Sequence, residues 1–182
     1  MPLRVYACFA AAGSKNPAHS DLGLYFLLRA WAQRAPLANT FDDVHAQAPR
    51  FDPKQADMQA VLGERLRTSA LMLLILSART KASAGWMNWE IDFAARECAL
   101  PIVCAYASLP EVDQRRGHAE WWPQALHRAF LERPLAINHV AFRPAALAQM
   151  LAVAPWRNGD ACATCPVFRP QSLGSPISHP RQ

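Results

Sequence analysis

The chain has 182 residues, room for one core-bearing domain and a tail, and 52% of them are hydrophobic. No apolar run approaches the roughly 20 residues of a membrane helix, so no membrane partner is expected. The net charge of +5 is spread over scattered arginines without the clustered basic stripe of a nucleic-acid reader, so no nucleic acid is expected; a phosphate-bearing small molecule suits the excess charge better.

The N-terminus lacks a basic region leading into an apolar stretch, so no secretory signal is read and a cytoplasmic location is expected. Arg4 to Phe9 is a short β-prone run, followed by a loop in which Gly13, Asn16 and Pro17 break any helix. Ser20 or Asp21 is expected to cap an amphipathic helix over Leu22 to Gln33, with Leu24, Leu27, Leu28 and Trp31 at helical spacing. Pro36 ends it. A second strand is expected within Leu37 to Val44, ending near Asp42, and a polar loop with Pro49 and Pro53 follows.

Asp57 to Thr68 reads as the next helix. Ala70 to Leu76 is apolar without alternation, the pattern of a strand buried on both faces in a parallel sheet. Ser77 to Gly85 is a polar loop, Trp86 to Cys98 a helix, and Pro101 to Tyr106 another buried strand. Further on, a helix over Trp121 to Leu131, a strand over Leu135 to Val140 and a helix over Pro144 to Val153 are expected. Residues 1–153 then form one α/β domain, and residues 154–182 an irregular Pro-rich tail. Alternating strands and helices imply a parallel sheet with helices on both faces and a ligand site at the carboxyl ends of the strands.

Five cysteines without a signal argue against a disulfide framework. Cys8, Cys98 and Cys104 read as small buried hydrophobes. Cys162 and Cys165 form a lone Cys-x-x-Cys with only His179 nearby, short of the four ligands of a zinc site. The six histidines are dispersed, so no metal is expected; no Gly-rich phosphate loop is present, so no bound dinucleotide cofactor is expected.

Ser77 to Ala95 carries the chemistry. A buried strand delivers the chain to the sheet edge, a small polar loop follows, and Trp86 and Trp89 open a helix with Glu90 beside the second. Trp86, Trp89, Glu90 and Phe93 share neighbouring faces of that helix. The indoles can stack on a flat ring and keep water from a carboxylate, or simply cover the sheet. Glu90 is either an acting carboxylate or an anion placed early in a helix for its dipole.

The pattern Ser-x-x-Thr-x-x-Ser-x-x-Trp-x-x-Trp-Glu-Ile-x-x-Ala between two apolar strands resembles the TIR-like domains of Thoeris-type antiphage proteins, as do the first strand Val5 to Phe9 and the helix Asp21 to Trp31. The resemblance spans roughly residues 3–152. It implies a flavodoxin-like fold and an enzyme that uses NAD as substrate: Glu90 cleaves the nicotinamide–ribose bond, and an ADP-ribose-derived nucleotide, cyclic in some members, activates a separate effector. By the same analogy Phe9, Ala10, Asp42, Trp86, Asn88 and Trp89 border the substrate. Cys8 departs from the pattern, which usually has Ser there, and Ala10 to Ala12 lack the family's polar side chains. Arg79 and Lys81 read as solvated loop residues. Two other readings stand beside the enzyme: a non-catalytic TIR-like scaffold acting by self-association (a homo-oligomer) or partner binding, and a receiver domain, which the absence of acidic residues after the first strand disfavours.

Overall fold

The computed structural model describes residues 3–10, 21–34, 41–43, 55–82, 85–113, 118–132 and 135–152. Within them the chain alternates strand and helix throughout: β1 (Leu3–Cys8), α1 (Leu22–Ala32), β2 (Phe41–Asp43), α2 (Gln55–Arg67), β3 (Leu71–Leu76), α3 (Trp86–Arg96), β4 (Ile102–Tyr106), α4 (Gln124–Glu132), β5 (Ile137–Ala141) and α5 (Pro144–Ala152). The five strands form one parallel sheet in the order β2-β1-β3-β4-β5. This is the flavodoxin-like order, and the expected α/β class with helices on both faces is what forms.

The faces divide cleanly. Tyr6, Cys8, Met72, Leu74, Leu76, Ile102, Cys104 and Tyr106 point to one side, where α2, α3 and α4 cover them through Leu62, Leu66, Met87, Ile91, Ala125 and Leu126. Val5, Ala7, Leu71, Leu73, Ile75, Val103 and Ala105 point to the other, under Tyr25 and Leu28 of α1 and Leu147 and Leu151 of α5. Every residue of β3 and β4 is buried, which is why their sequences read as unbroken apolar runs. Pro144 opens α5 at the position where its missing N–H costs nothing.

Strand order reverses between β1 and β3, so their carboxyl ends frame the crevice where such sheets place ligands. Two expectations change here. Asp21 stands at the N-terminus of α1 but makes no side-chain cap; its carboxylate turns to the segment after β3. The Ser77 to Gly85 loop contains a 3-10 turn, Thr80–Ala82, and a second such turn, Ala119–Trp121, precedes α4. Residues 11–20, the loop expected over 44–54 and the tail expected to hold Cys162 and Cys165 lie outside the described residues. Among the described residues no helix is long and apolar enough to cross a membrane.

Candidate functional site

Glu90 lies one full turn inside α3, only 7% exposed. The first turn of that helix holds no acidic residue, so helix-dipole placement does not account for the glutamate; the dipole's influence fades beyond that turn. What holds it comes from β1. The Tyr6 hydroxyl donates to Glu90 Oε1 at 2.9 Å, and the Cys8 thiol donates to Oε2 at 2.9 Å. Cys8 is therefore not merely a small hydrophobe filling the core.

Burial pushes the Glu90 carboxyl above the ordinary carboxylate range, and the Cys8 and Tyr6 hydrogen bonds pull it part of the way back. Burial and the neighbouring carboxylate push the Tyr6 hydroxyl and the Cys8 thiol well up, so both stay protonated as donors. Among the described residues no lysine or arginine forms a salt bridge with Glu90. The α3 charges that do pair, Asp92 with Arg128 and Arg96 with Glu132, tie α3 to α4.

The backbone entry to α3 needs a glycine. Gly85 sits at φ +83°, ψ −120°, and its carbonyl accepts the Trp89 amide. Trp86 is 39% exposed at the helix start, its ring edge-on to Trp89 at 5.9 Å. Trp89 leans on Phe93 at 5.1 Å, and Phe93 lies beside Gly63 of α2 and under the Arg67 guanidinium. The aromatic row thus runs from the start of α3 to the α2–α3 seam, with Glu90 beside it on the same helix.

The other expected residues separate. Ala10 is buried on Glu90's side of the sheet, and its carbonyl accepts the Asp21 amide. Phe9 turns to the opposite side and stacks on Tyr25 at 4.7 Å. Asn88 Oδ1 accepts the Ala125 amide in the first turn of α4, which gives that side chain a structural duty. Asp42 pairs with Arg4 in the β1–β2 register; its side chain lies outside the described residues.

Two polar groups that sequence reading missed border the same sheet edge. Asp21, 3% exposed, accepts from Ser77 and weakly from the buried Thr80. At the end of β4, Trp122 Nε1–H donates to the Tyr106 hydroxyl, which lies 3.0 Å from His139 Nδ1. Burial lowers the His139 imidazole to about 4, so it is neutral at pH 7, and its Nδ1 shares a hydrogen bond with the Tyr106 hydroxyl.

A family model described as Thoeris protein ThsB, TIR-like domain, matches residues 6–109, a span that holds Tyr6, Cys8 and Glu90. Among solved structures, a conserved protein from Enterococcus faecalis V583 shares the fold at 15% identity and a TM-score of 0.53, over 84% of this chain and 98% of that one. The chain is also similar to the CMP N-glycosidase BcmB of Clostridium botulinum, at 9% identity and a TM-score of 0.46, over 82% and 97% of the two chains. No curated protein matches the sequence.

Proposed function

The chain belongs to the TIR-like domain family of Thoeris ThsB proteins, and from that membership we propose that it cleaves the N-glycosidic bond between nicotinamide and ribose in NAD, with Glu90 as the acting carboxylate. The observation that carries this reading is the state of Glu90: buried, hydrogen-bonded on both oxygens by neutral donors, and without a cationic partner among the described residues. A buried anion with no fixed counter-charge is suited to a ligand that brings or develops positive charge.

NAD does both. Its nicotinamide leaves from a cationic pyridinium, so the chemistry needs no strong general acid. Bond cleavage develops an oxocarbenium-like sugar, as in glycoside cleavage. A preorganised carboxylate stabilises that cation without reorganising at the moment of reaction. Exposed Trp86 and half-buried Trp89 offer flat apolar surface beside it, suited to the released ring and to excluding water. With water excluded, a hydroxyl or ring nitrogen of the ADP-ribose itself, or of another molecule, becomes the competing nucleophile. The product then serves as a nucleotide signal for a separate effector in antiphage defence.

The test is incubation of the purified protein with NAD, wild type beside Glu90→Gln, with mass spectrometry of all nucleotide products. Consumption by wild type and not by the variant is expected, and the product mass separates hydrolysis, cyclisation and conjugation. No consumption by wild type, even in lysate of phage-infected cells, would overturn the enzyme reading in favour of the scaffold.

A further inference from the structure

The role of β1 in this site rests on the reading of Glu90 as the acting carboxylate: two side chains of the strand decide how that group is presented. Tyr6 and Cys8 are two residues apart, so strand alternation sends both to the α3 side of the sheet. Tyr6 pairs with Met72 and Cys8 with Leu74 of β3, and both residues are fully buried. The donors are therefore anchored to β3 in the buried part of the strand, while the acceptor rides on a helix. One donor reaches each oxygen, at 2.9 Å in both cases. Two bonds to two different oxygens fix the plane of the carboxylate as well as its position. Each oxygen still has a second acceptor site.

We propose that Tyr6 and Cys8 are the positioning residues of this site: together they hold the Glu90 carboxylate as an oriented anion whose remaining acceptor sites meet the sugar cation. The two are not equivalent. A phenol is a strong donor and a thiol a weak one, so Tyr6 supplies most of the restraint and Cys8 the finer adjustment. A serine at position 8 keeps a donor there, and an alanine removes it.

Other charged or titratable groups near Glu90 do not perform this task. β3 carries none. From α2, Arg65 acts through space on Tyr6. On β4, burial pushes Cys104 and Tyr106 up, so both stay neutral. Asp92 and Arg96 of α3 are engaged with Arg128 and Glu132 of α4.

The experiment uses the full chain in five forms: wild type, Glu90→Gln, Tyr6→Phe, Cys8→Ala and Cys8→Ser. Each is labelled with carboxyl-13C glutamate, and the Glu90 resonance is the one lost in Glu90→Gln. Two readouts are taken: titration of that resonance, and kcat, KM and the acid limb of NAD turnover. Tyr6→Phe is expected to lower kcat roughly tenfold to a hundredfold with KM little changed. Its carboxyl titration and acid limb move together to higher pH, because a donor to the anion is gone. Cys8→Ala shifts both the same way by less, and Cys8→Ser returns both toward or below wild type. If Tyr6→Phe and Cys8→Ala change only the melting temperature, leaving titration and kcat alone, the positioning pair is overturned while the NAD reading stands. If the carboxyl titrations shift as expected but no form consumes NAD, the pair still holds Glu90 and the NAD reading falls. Failure of Cys8→Ser to restore what Cys8→Ala loses overturns the part assigned to Cys8.

Discussion

The Ser77 hydroxyl bridges both oxygens of the Asp21 carboxylate, at 2.9 and 3.0 Å, across 56 positions of sequence. It links the start of α1 to the segment leaving β3, at the point where strand order reverses. Thr80 adds a longer contact at 3.5 Å, and the Thr80 hydroxyl also accepts the Ser77 amide at 2.7 Å. Asp21→Ala leaves Ser77 and Thr80 without this acceptor, so a loss of about 1–3 kcal/mol is expected in urea unfolding. Asp21→Asn, which keeps one acceptor oxygen, should lose less. An Asp21→Ala protein as stable as wild type would show that the bridge contributes nothing.

Glu90→Gln is expected to melt a few degrees higher than wild type at pH 7–8. The folded protein raises the Glu90 carboxyl, so it binds that proton more tightly than the unfolded chain does. The resulting stability is fully present below the unfolded carboxyl value and is lost as pH rises through the raised one. At neutral pH wild type has lost some or all of it, whereas the uncharged glutamine has nothing to lose. Melting curves from pH 4 to 8 should show the gap between the two proteins widening with pH. A gap that is constant, or that closes with rising pH, would contradict a desolvated anion at this position.

His139 gives the opposite slope. Its imidazole titrates near 6.5 in the unfolded chain and at about 4 when folded, with burial as the main cause. Stability is then present above the unfolded value and lost as pH falls from 6.5 through 4, by roughly 3 kcal/mol in all. The difference between wild type and His139→Gln isolates this term, because the other groups are shared. It should shrink across that window, as followed by chemical unfolding at each pH.

Trp86 and Trp89 should separate binding from folding. Trp86 is 39% exposed and meets Trp89 edge-on, so Trp86→Ala is expected to change stability by less than about 1 kcal/mol while raising KM for NAD several-fold. Trp89 packs against Phe93 and the core beside it. Trp89→Ala should therefore cost about 2 kcal/mol in addition to any effect on KM. Equal stability losses in the two variants would mean that both indoles are packing residues.

The elements are legible in the sequence wherever burial is uniform or periodic. β3 and β4 announce themselves as apolar runs because both of their faces are covered, and α1 and α3 by their spacing. Glu90 stands out because two tryptophans flank it. Its partners on β1 do not. In a strand buried on both sides, Tyr6 and Cys8 look no different from Val5 and Ala7, and only the pairing with a residue on α3 reveals what they do. Asp21 misleads for the same reason: a carboxylate just before a helix suits a local cap, and nothing local indicates that its partner is Ser77. Analogy makes Phe9 a border of the substrate; one step along the strand from Cys8, its ring lies on the other face of the sheet from Glu90, stacked on Tyr25.

The register of β1 also sets the order in which the site can be assembled. Val5 pairs with Leu71 and Cys8 with Leu74, so β1 waits for all of α2 and most of β3 to be made before its longer edge is closed. Glu90 is synthesised later still. Such distant pairings close slowly compared with local ones. During translation the two donors on β1 emerge first and their acceptor last, so a nascent chain halted before α3 carries half of this centre and none of its charge.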